Sequence, residues 1–210
     1  MIRRIILIIG FVLSLTVAFS QTLRDSVWVE RESFKALYSE TLEQPLMVTY
    51  VVVPIVKKES RNGIKFYTDK DIHTSDDLDY KNNIWDRGHM APARHFTDSK
   101  RKLKSTFSFL NIALQHQKLN QGEWRLLEER ESLWSSDYEN LIVTIKVIFS
   151  DKSERLETGA LIPDGFYKEI KFIENPSDKS FVVTKKLCWY FPNTEPDKSW
   201  DEYKVDCNCN

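Results

Sequence analysis

Trp85-Asp86-Arg87-Gly88-His89-Met90-Ala91-Pro92-Ala93 is the stretch on which the reading of this chain turns, together with Leu119-Asn120-Gln121-Gly122-Glu123-Trp124 and Glu128 further on. Between them they supply an imidazole, a guanidinium, an amide oxygen and a carboxylate. From Leu119 onward Trp124, Leu127 and Leu133 recur at helical spacings, and Asn120 or Gln121 is placed to start that helix.

Outward from this centre the pattern changes to strands. Residues 45–54 are β-branched and aromatic and bounded by prolines, which predicts a buried strand. Residues 55–58 extend it towards Arg61-Asn62-Gly63, a hairpin-type turn, after which 64–67 return. A long polar loop follows over 68–83, a length that commonly marks a functional or clamped segment. Residues 105–113 alternate around large apolar side chains and suit a short strand or extended segment, and 138–149 read as a central strand. Residues 166–172 and 180–184 read as two more, preceded by turns at 163–165 and 175–178. Residues 22–45 are charged and weakly patterned, with Phe34 to Leu42 as a short helix or a packed arm. Strands on both sides of one helical segment imply an α+β domain with a mainly antiparallel central sheet. No internal repeat or low-complexity linker interrupts it.

The ends add a compartment. Arg3 and Arg4 precede an apolar run from Ile5 to Phe19, and Ala18-Phe19-Ser20 supplies the small residues of a cleavage site, so 1–20 read as a signal peptide and 21–210 as one exported domain. The run is short for a bilayer span, and no other segment is apolar enough, so no membrane association is expected after cleavage. The protein is then secreted or periplasmic. A formal charge of −1 excludes a generic basic coat. Polyanion binding must come from a local patch, and Arg87, Arg94, Lys100, Arg101, Lys102 and Lys104 fall close together against Asp86 and Asp98. All three cysteines lie near the end. A bridge from Cys188 to Cys207 or to Cys209 would close a loop worth about 3 kcal/mol and leave one thiol over. Cys-Asn-Cys is too tight for a usual zinc site.

The two central stretches match what hydrolysis of a phosphodiester needs. His89 can take a proton from water near neutral pH. Arg87 can pair two phosphate oxygens in its planar fork, and Gly88 permits the tight turn that aims both side chains into one pocket. Asn120 offers an amide oxygen to a hard cation such as Mg²⁺, which keeps several waters and takes few protein ligands. Glu128, eight residues on, lies about 12 Å further along a regular helix. That makes Asn120 the protein ligand and Glu128 an outer group that orients metal-bound water. Each residue also has a plainer use: a surface turn with an ion pair for the Asp86 stretch, a helix cap for Asn120, a solvated charge for Glu128 and core for Trp124.

Order and spacing together resemble the ββα-metal DNA/RNA non-specific endonucleases, the endonuclease G-like and secreted bacterial nucleases. The resemblance rests on Asp86 to Ala93, on Leu110-Asn111-Ile112-Ala113-Leu114-Gln115, and on Leu119-Asn120-Gln121 with Trp124 and Glu128. Weaker similarity reaches back to 45–50 and forward to 162–168. It implies a histidine base at His89, a water-rich Mg²⁺ on Asn120 (Mn²⁺ or another divalent cation being alternatives), and supporting roles for Arg87, Asn111 and Glu128. DNA and RNA are the implied substrates, contacted by Arg87, Arg94 and Lys104 and cut without strict sequence preference; contacts confined to phosphate carry no base information. Some relatives form homodimers, and an inhibitor partner is left open. The chain departs from the family pattern at Ser132, where an arginine is common, and in lacking a Thr-Gly-Pro after the strand at 142–149. An upstream phosphate-contacting arginine is matched by Arg61 or Lys65. Two other functions compete: a secreted nucleic-acid-binding homologue without useful turnover, and a phosphodiesterase for small diesters.

Overall fold

The structure is a computed structural model and describes residues 23–54, 58–138, 140–174 and 182–207. The expected leader, the turn at 175–178, the extension at 55–57 and Cys209 lie outside them. Nine strands form. β1 (Val27–Glu30), β2 (Lys35–Ser39), β3 (Gln44–Val52), β6 (Asn140–Ile148), β7 (Gly165–Glu174), β8 (Val182–Pro192) and β9 (Lys204–Val205) make one antiparallel sheet in that order. β4 (Trp85–His89) and β5 (Ile112–His116) pair separately. The α+β reading with a mainly antiparallel sheet is what the chain adopts.

Period-2 burial sets the register. Val48, Tyr50 and Val52 of β3 lie opposite Ile145, Val143 and Leu141 of β6, which in turn face Lys168, Ile170 and Phe172 of β7. All are buried, while Thr49, Thr144 and Glu169 between them turn to the other face. A lysine thus stands in a core row between Ile145 and Trp189. Helix α3 (Arg125–Asp137) covers this face through Leu127 and, with Trp124 and Trp134 just before and within it, packs aromatic rings on Phe166, Phe191 and Phe172.

Three readings change. Residues 34–42 are neither helix nor arm: Phe34, Ala36 and Tyr38 are buried alternately, so 35–39 form strand β2 with Lys35 outward, and the turn that follows buries Glu40. Residues 64–67 do not return as a hairpin strand after the turn at Gly63 (φ +76°), and only Tyr67 makes a single bridge, to Ser108. Residues 105–113 divide between the end of helix α1 (Lys100–Ser105), a 3₁₀ turn at Phe109–Asn111 and β5. The polar loop 68–83 is clamped as its length suggested, with the His73 N–H donating to buried Glu40 and the Ser75 N–H to the Tyr38 hydroxyl. At the end, Cys188 pairs with Cys207, tying the tail to β8.

Candidate active site

β4, β5 and the helix after them build the site. Gly88 lies opposite Ala113 in the β4–β5 pair, and a Cβ there would stand 2.6 Å from Gln115 Cβ, so the close approach of the two strands requires glycine. The residues on either side, Arg87 and His89, are thereby held against one cleft. After β5 the chain enters helix α2 (Gln117–Leu119), widens into a π turn over Asn120–Trp124, and continues as α3. The break falls at Gly122, whose φ of −105° and ψ of −112° are not helical. Asn120 therefore caps no helix start, and the straight-helix separation from Glu128 does not apply, because the π turn lies between them. Both line one cleft of about 460 Å³ with Arg61, Asp86, Arg87, His89 and Arg94.

The His89 ring is wedged between Phe66 and Phe107, at 5.4 and 5.1 Å between centroids. Burial, followed by the charge of Arg61, pushes its pKa down to about 3, against a contact with the Arg87 backbone that raises it. The imidazole is thus neutral at physiological pH. Its Nε2 is sealed from solvent and has no hydrogen-bond partner among the described residues. Arg87 lies 5.3 and 5.2 Å from the Phe66 and Tyr80 rings and donates to Asp77 Oδ1 at 3.0 and 2.7 Å. That carboxylate is 62% exposed, so the pair is worth at most about 1 kcal/mol and yields readily to a phosphate.

Asp86 orients the Asn120 side chain. Its Oδ2 accepts from Asn120 Nδ2 at 2.9 Å and from Gln121 Nε2 at 2.7 Å, which commits the amide nitrogen and leaves the Asn120 oxygen for another partner. Glu128 is buried, and burial raises its pKa to about 8 despite the nearby Lys168 ammonium; Glu131 adds to the rise, while Arg94 and the Trp124 indole oppose it. Beneath it Glu131, fully buried, accepts from Tyr50 Oη at 2.9 Å, from His95 Nε2 at 3.0 Å and from Lys168 Nζ at 2.8 Å. Burial alone would raise Glu131, but Lys168 and His95 outweigh it and hold the carboxylate well below its usual range.

Not every predicted residue reaches the cleft. Asn111 lies behind it, with Oδ1 accepting from the Ala91 N–H at 2.8 Å and Nδ2 donating to the Ala91 and Thr106 carbonyls, both at 2.9 Å. Its amide is spent on holding the segment that follows His89. Arg94 reaches the cleft, donating to Glu129 at 3.1 Å. Lys104 lines a neighbouring groove instead, as does Lys65, so of the two candidates for the upstream cation Arg61 is the one beside His89. Ser132 faces His95 Nδ1 at 3.4 Å, and Arg130 turns to the Trp200 ring. Sequence reasoning passed over the roles of Asp86, Asp77 and the His95–Glu131–Lys168 cluster. For Asp86 the signal was adjacency to Arg87; for the cluster there was none.

Among the described residues no group of three or more His, Cys, Asp or Glu is placed to cage a metal. One amide oxygen beside carboxylates suits a hard cation that keeps most of its waters, and suits zinc poorly. The profile described as DNA/RNA non-specific endonuclease matches residues 14–209. Mitochondrial endonuclease G of Bos taurus is 30% identical over 98 residues, covering 45% of this chain and 33% of that protein. The Homo sapiens endonuclease G is 28% identical over 129 residues, covering 59% and 43%. Nuclease EXOG of Danio rerio is 34% identical over 77 residues, covering 35% and 22%. The match thus spans less than half the length of each of these relatives. The same fold occurs in a chain of the EndoG/EndoGI complex, with a TM-score of 0.74 at 22% identity, covering 85% of this chain and 80% of that one.

Proposed function

The chain belongs to the DNA/RNA non-specific endonuclease family, and from that premise we propose that it is an exported, divalent-cation-dependent nuclease that hydrolyses phosphodiester bonds of DNA and RNA. The observation that carries this is the convergence of His89, Arg61, Arg87, Asn120 and Glu128 on one cleft. We assign the neutral imidazole of His89, which lines the cleft and whose buried Nε2 has no partner among the described residues, as the base that takes a proton from an attacking water. As a base it is weak while Arg61, which has no ion-pair partner among the described residues, stands beside it. A substrate phosphate neutralises Arg61, removes one of the causes that depress His89, and adds negative charge that favours the imidazolium. Substrate binding therefore strengthens the base when it is needed. Arg87 exchanges Asp77 for phosphate oxygens in its bidentate fork.

Asn120 would hold the cation through its amide oxygen, oriented by Asp86, with Glu128 turned to the cation's waters. Mg²⁺ fits this donor set, and when bound it supplies charge stabilisation at the leaving oxygen. Contacts to phosphate alone leave base sequence unread, in keeping with the absence of strict specificity.

Incubating the purified chain with supercoiled plasmid and with RNA, in Mg²⁺ and in EDTA, tests the reading. Degradation of both that requires metal, and a fall of about 10²–10⁴-fold in the His89→Ala variant with binding retained, are the expected results. A folded chain that cuts neither polymer with any divalent ion would leave a binding role on this fold. Cutting of small diesters alone would mark a narrower phosphodiesterase. Export is checked by sequencing the N-terminus of the mature protein, expected at Gln21.

A further inference from the structure

The turn that carries Asn120 does not hold itself. Non-helical dihedrals at Gly122 interrupt the hydrogen-bond ladder just after Asn120, and a Cβ added at Gly122 would meet nothing within 4 Å, so neither regular helix nor packing fixes the backbone there. The next residue, Glu123, is tied to a distant part of the chain. Its Oε2 accepts from the Trp200 backbone N–H at 2.7 Å, across 77 positions of sequence. Trp200 opens a 3₁₀ turn (Trp200–Tyr203), and the first N–H groups of such a turn have no partner within it. The Glu123 carboxylate supplies one, through a charge-assisted bond.

That bond belongs to a strap, residues 193–207, which follows the chain through the approach to the site. Before α2, Asn193 Oδ1 accepts from the His116 N–H at 2.8 Å while its Nδ2 donates to the Leu114 carbonyl at 2.9 Å. Within α2, Lys118 pairs with Glu195, but both are more than half exposed and the pair contributes little. Glu123 makes the contact after Gly122. The strap is itself fixed. The Trp200 ring lies 6.2 and 6.3 Å from the Trp134 and Trp189 rings, Glu202 closes a capping box on Ser199, and beyond β9 the Cys188–Cys207 bridge joins the end to β8.

We propose that Glu123, held by this strap, is a positioning residue for the cation site: it fixes the backbone after Gly122 and so keeps the Asn120 oxygen at the cleft while Asp86 engages the amide nitrogen. The proposal rests on the reading of Asn120 as the protein ligand of a divalent cation. Glu123 is not among the residues lining the cleft, so it acts through the backbone of the turn and touches neither substrate nor cation.

The test compares Glu123→Ala, which removes the acceptor, with Glu123→Gln, which keeps a carbonyl oxygen for the Trp200 N–H. Hydrogen–deuterium exchange of the metal-free chain, read over residues 117–124, is expected to quicken about tenfold in the alanine variant and to stay near the parent in the glutamine variant. Mn²⁺ affinity, followed by electron paramagnetic resonance, falls about tenfold in the alanine variant and recovers to within about twofold of the parent in the glutamine variant. With Mg²⁺, kcat falls in step while KM for plasmid holds. A role confined to global stability would lower the urea midpoint and leave the Mn²⁺ affinity of the folded chain unchanged, which overturns the proposal, as does unchanged exchange over 117–124. If the parent cuts plasmid with metal and His89 and the alanine variant keeps its Mn²⁺ affinity, the positioning role falls and the nuclease reading stands. If the parent neither binds Mn²⁺ nor cuts, the nuclease reading falls, and exchange over 117–124 alone decides whether Glu123 holds the turn.

Discussion

Replacing Lys168 by methionine tests the buried network under the cleft. The ammonium is fully buried, 2.8 Å from Glu131 Oε1 and 3.9 Å from the centroid of the Trp124 ring. At that separation and an effective dielectric constant of about 20 the Coulomb attraction is roughly 6 kcal/mol, from which the desolvation of both ions must be subtracted. In the single variant Glu131 keeps two neutral donors, Tyr50 and His95, and an unpaired charge, which typically costs about 3–5 kcal/mol; loss of the cation–π contact adds up to about 2 kcal/mol, offset by the apolar fit of methionine. We expect a net loss of about 4 kcal/mol, read as a lower urea midpoint at unchanged m-value. Glu131 in the parent has a depressed pKa, so its stabilising contribution is present above the ordinary carboxylate range and lost as pH falls through the folded value. In the variant that carboxylate is raised instead, so the gap from the parent narrows as pH is lowered from 7 to 5. The Lys168→Met/Glu131→Gln double variant removes both charges and should be more stable than either single one. Additive losses in that cycle, or a gap independent of pH, would refute the argument.

Three further outcomes follow from the same geometry. Gly88→Ala must push Gln115 and strand β5 away from β4, costing about 2 kcal/mol and most of the activity, as measured by urea unfolding and plasmid cleavage. Asp86→Ala releases the Asn120 amide and should weaken Mn²⁺ binding, followed by electron paramagnetic resonance, about 10–100-fold, while polynucleotide affinity in EDTA holds. Glu128, with a pKa raised to about 8, stabilises the fold below the ordinary carboxylate range and loses that contribution as pH rises through 8; Glu128→Gln should therefore gain on the parent by a few kcal/mol between pH 5 and 8.5 in thermal unfolding, and a constant difference would contradict the burial argument.

The sequence by itself determined the strands β3, β6 and β7, from runs rich in β-branched and aromatic residues, and the helical segment after Leu119. It also marked His89, Arg87, Asn120 and Glu128, because residue type and spacing are local properties that survive without coordinates. It misread 34–42, where Phe34, Ala36 and Tyr38 are only three inward positions and the outward Leu37 is apolar as well, which hides the period. It read Lys168 as an ordinary strand residue, since a lysine whose charge is compensated by a glutamate on another element looks like any exposed lysine. Only the tertiary structure decided that Asn111 works on the backbone behind the cleft, that Arg61 and not Lys65 stands beside His89, and that Asp86 holds Asn120 across the two stretches. These are pairings between segments far apart in the chain, and their energies depend on burial and on distances of about 3 Å, which no one-dimensional pattern contains.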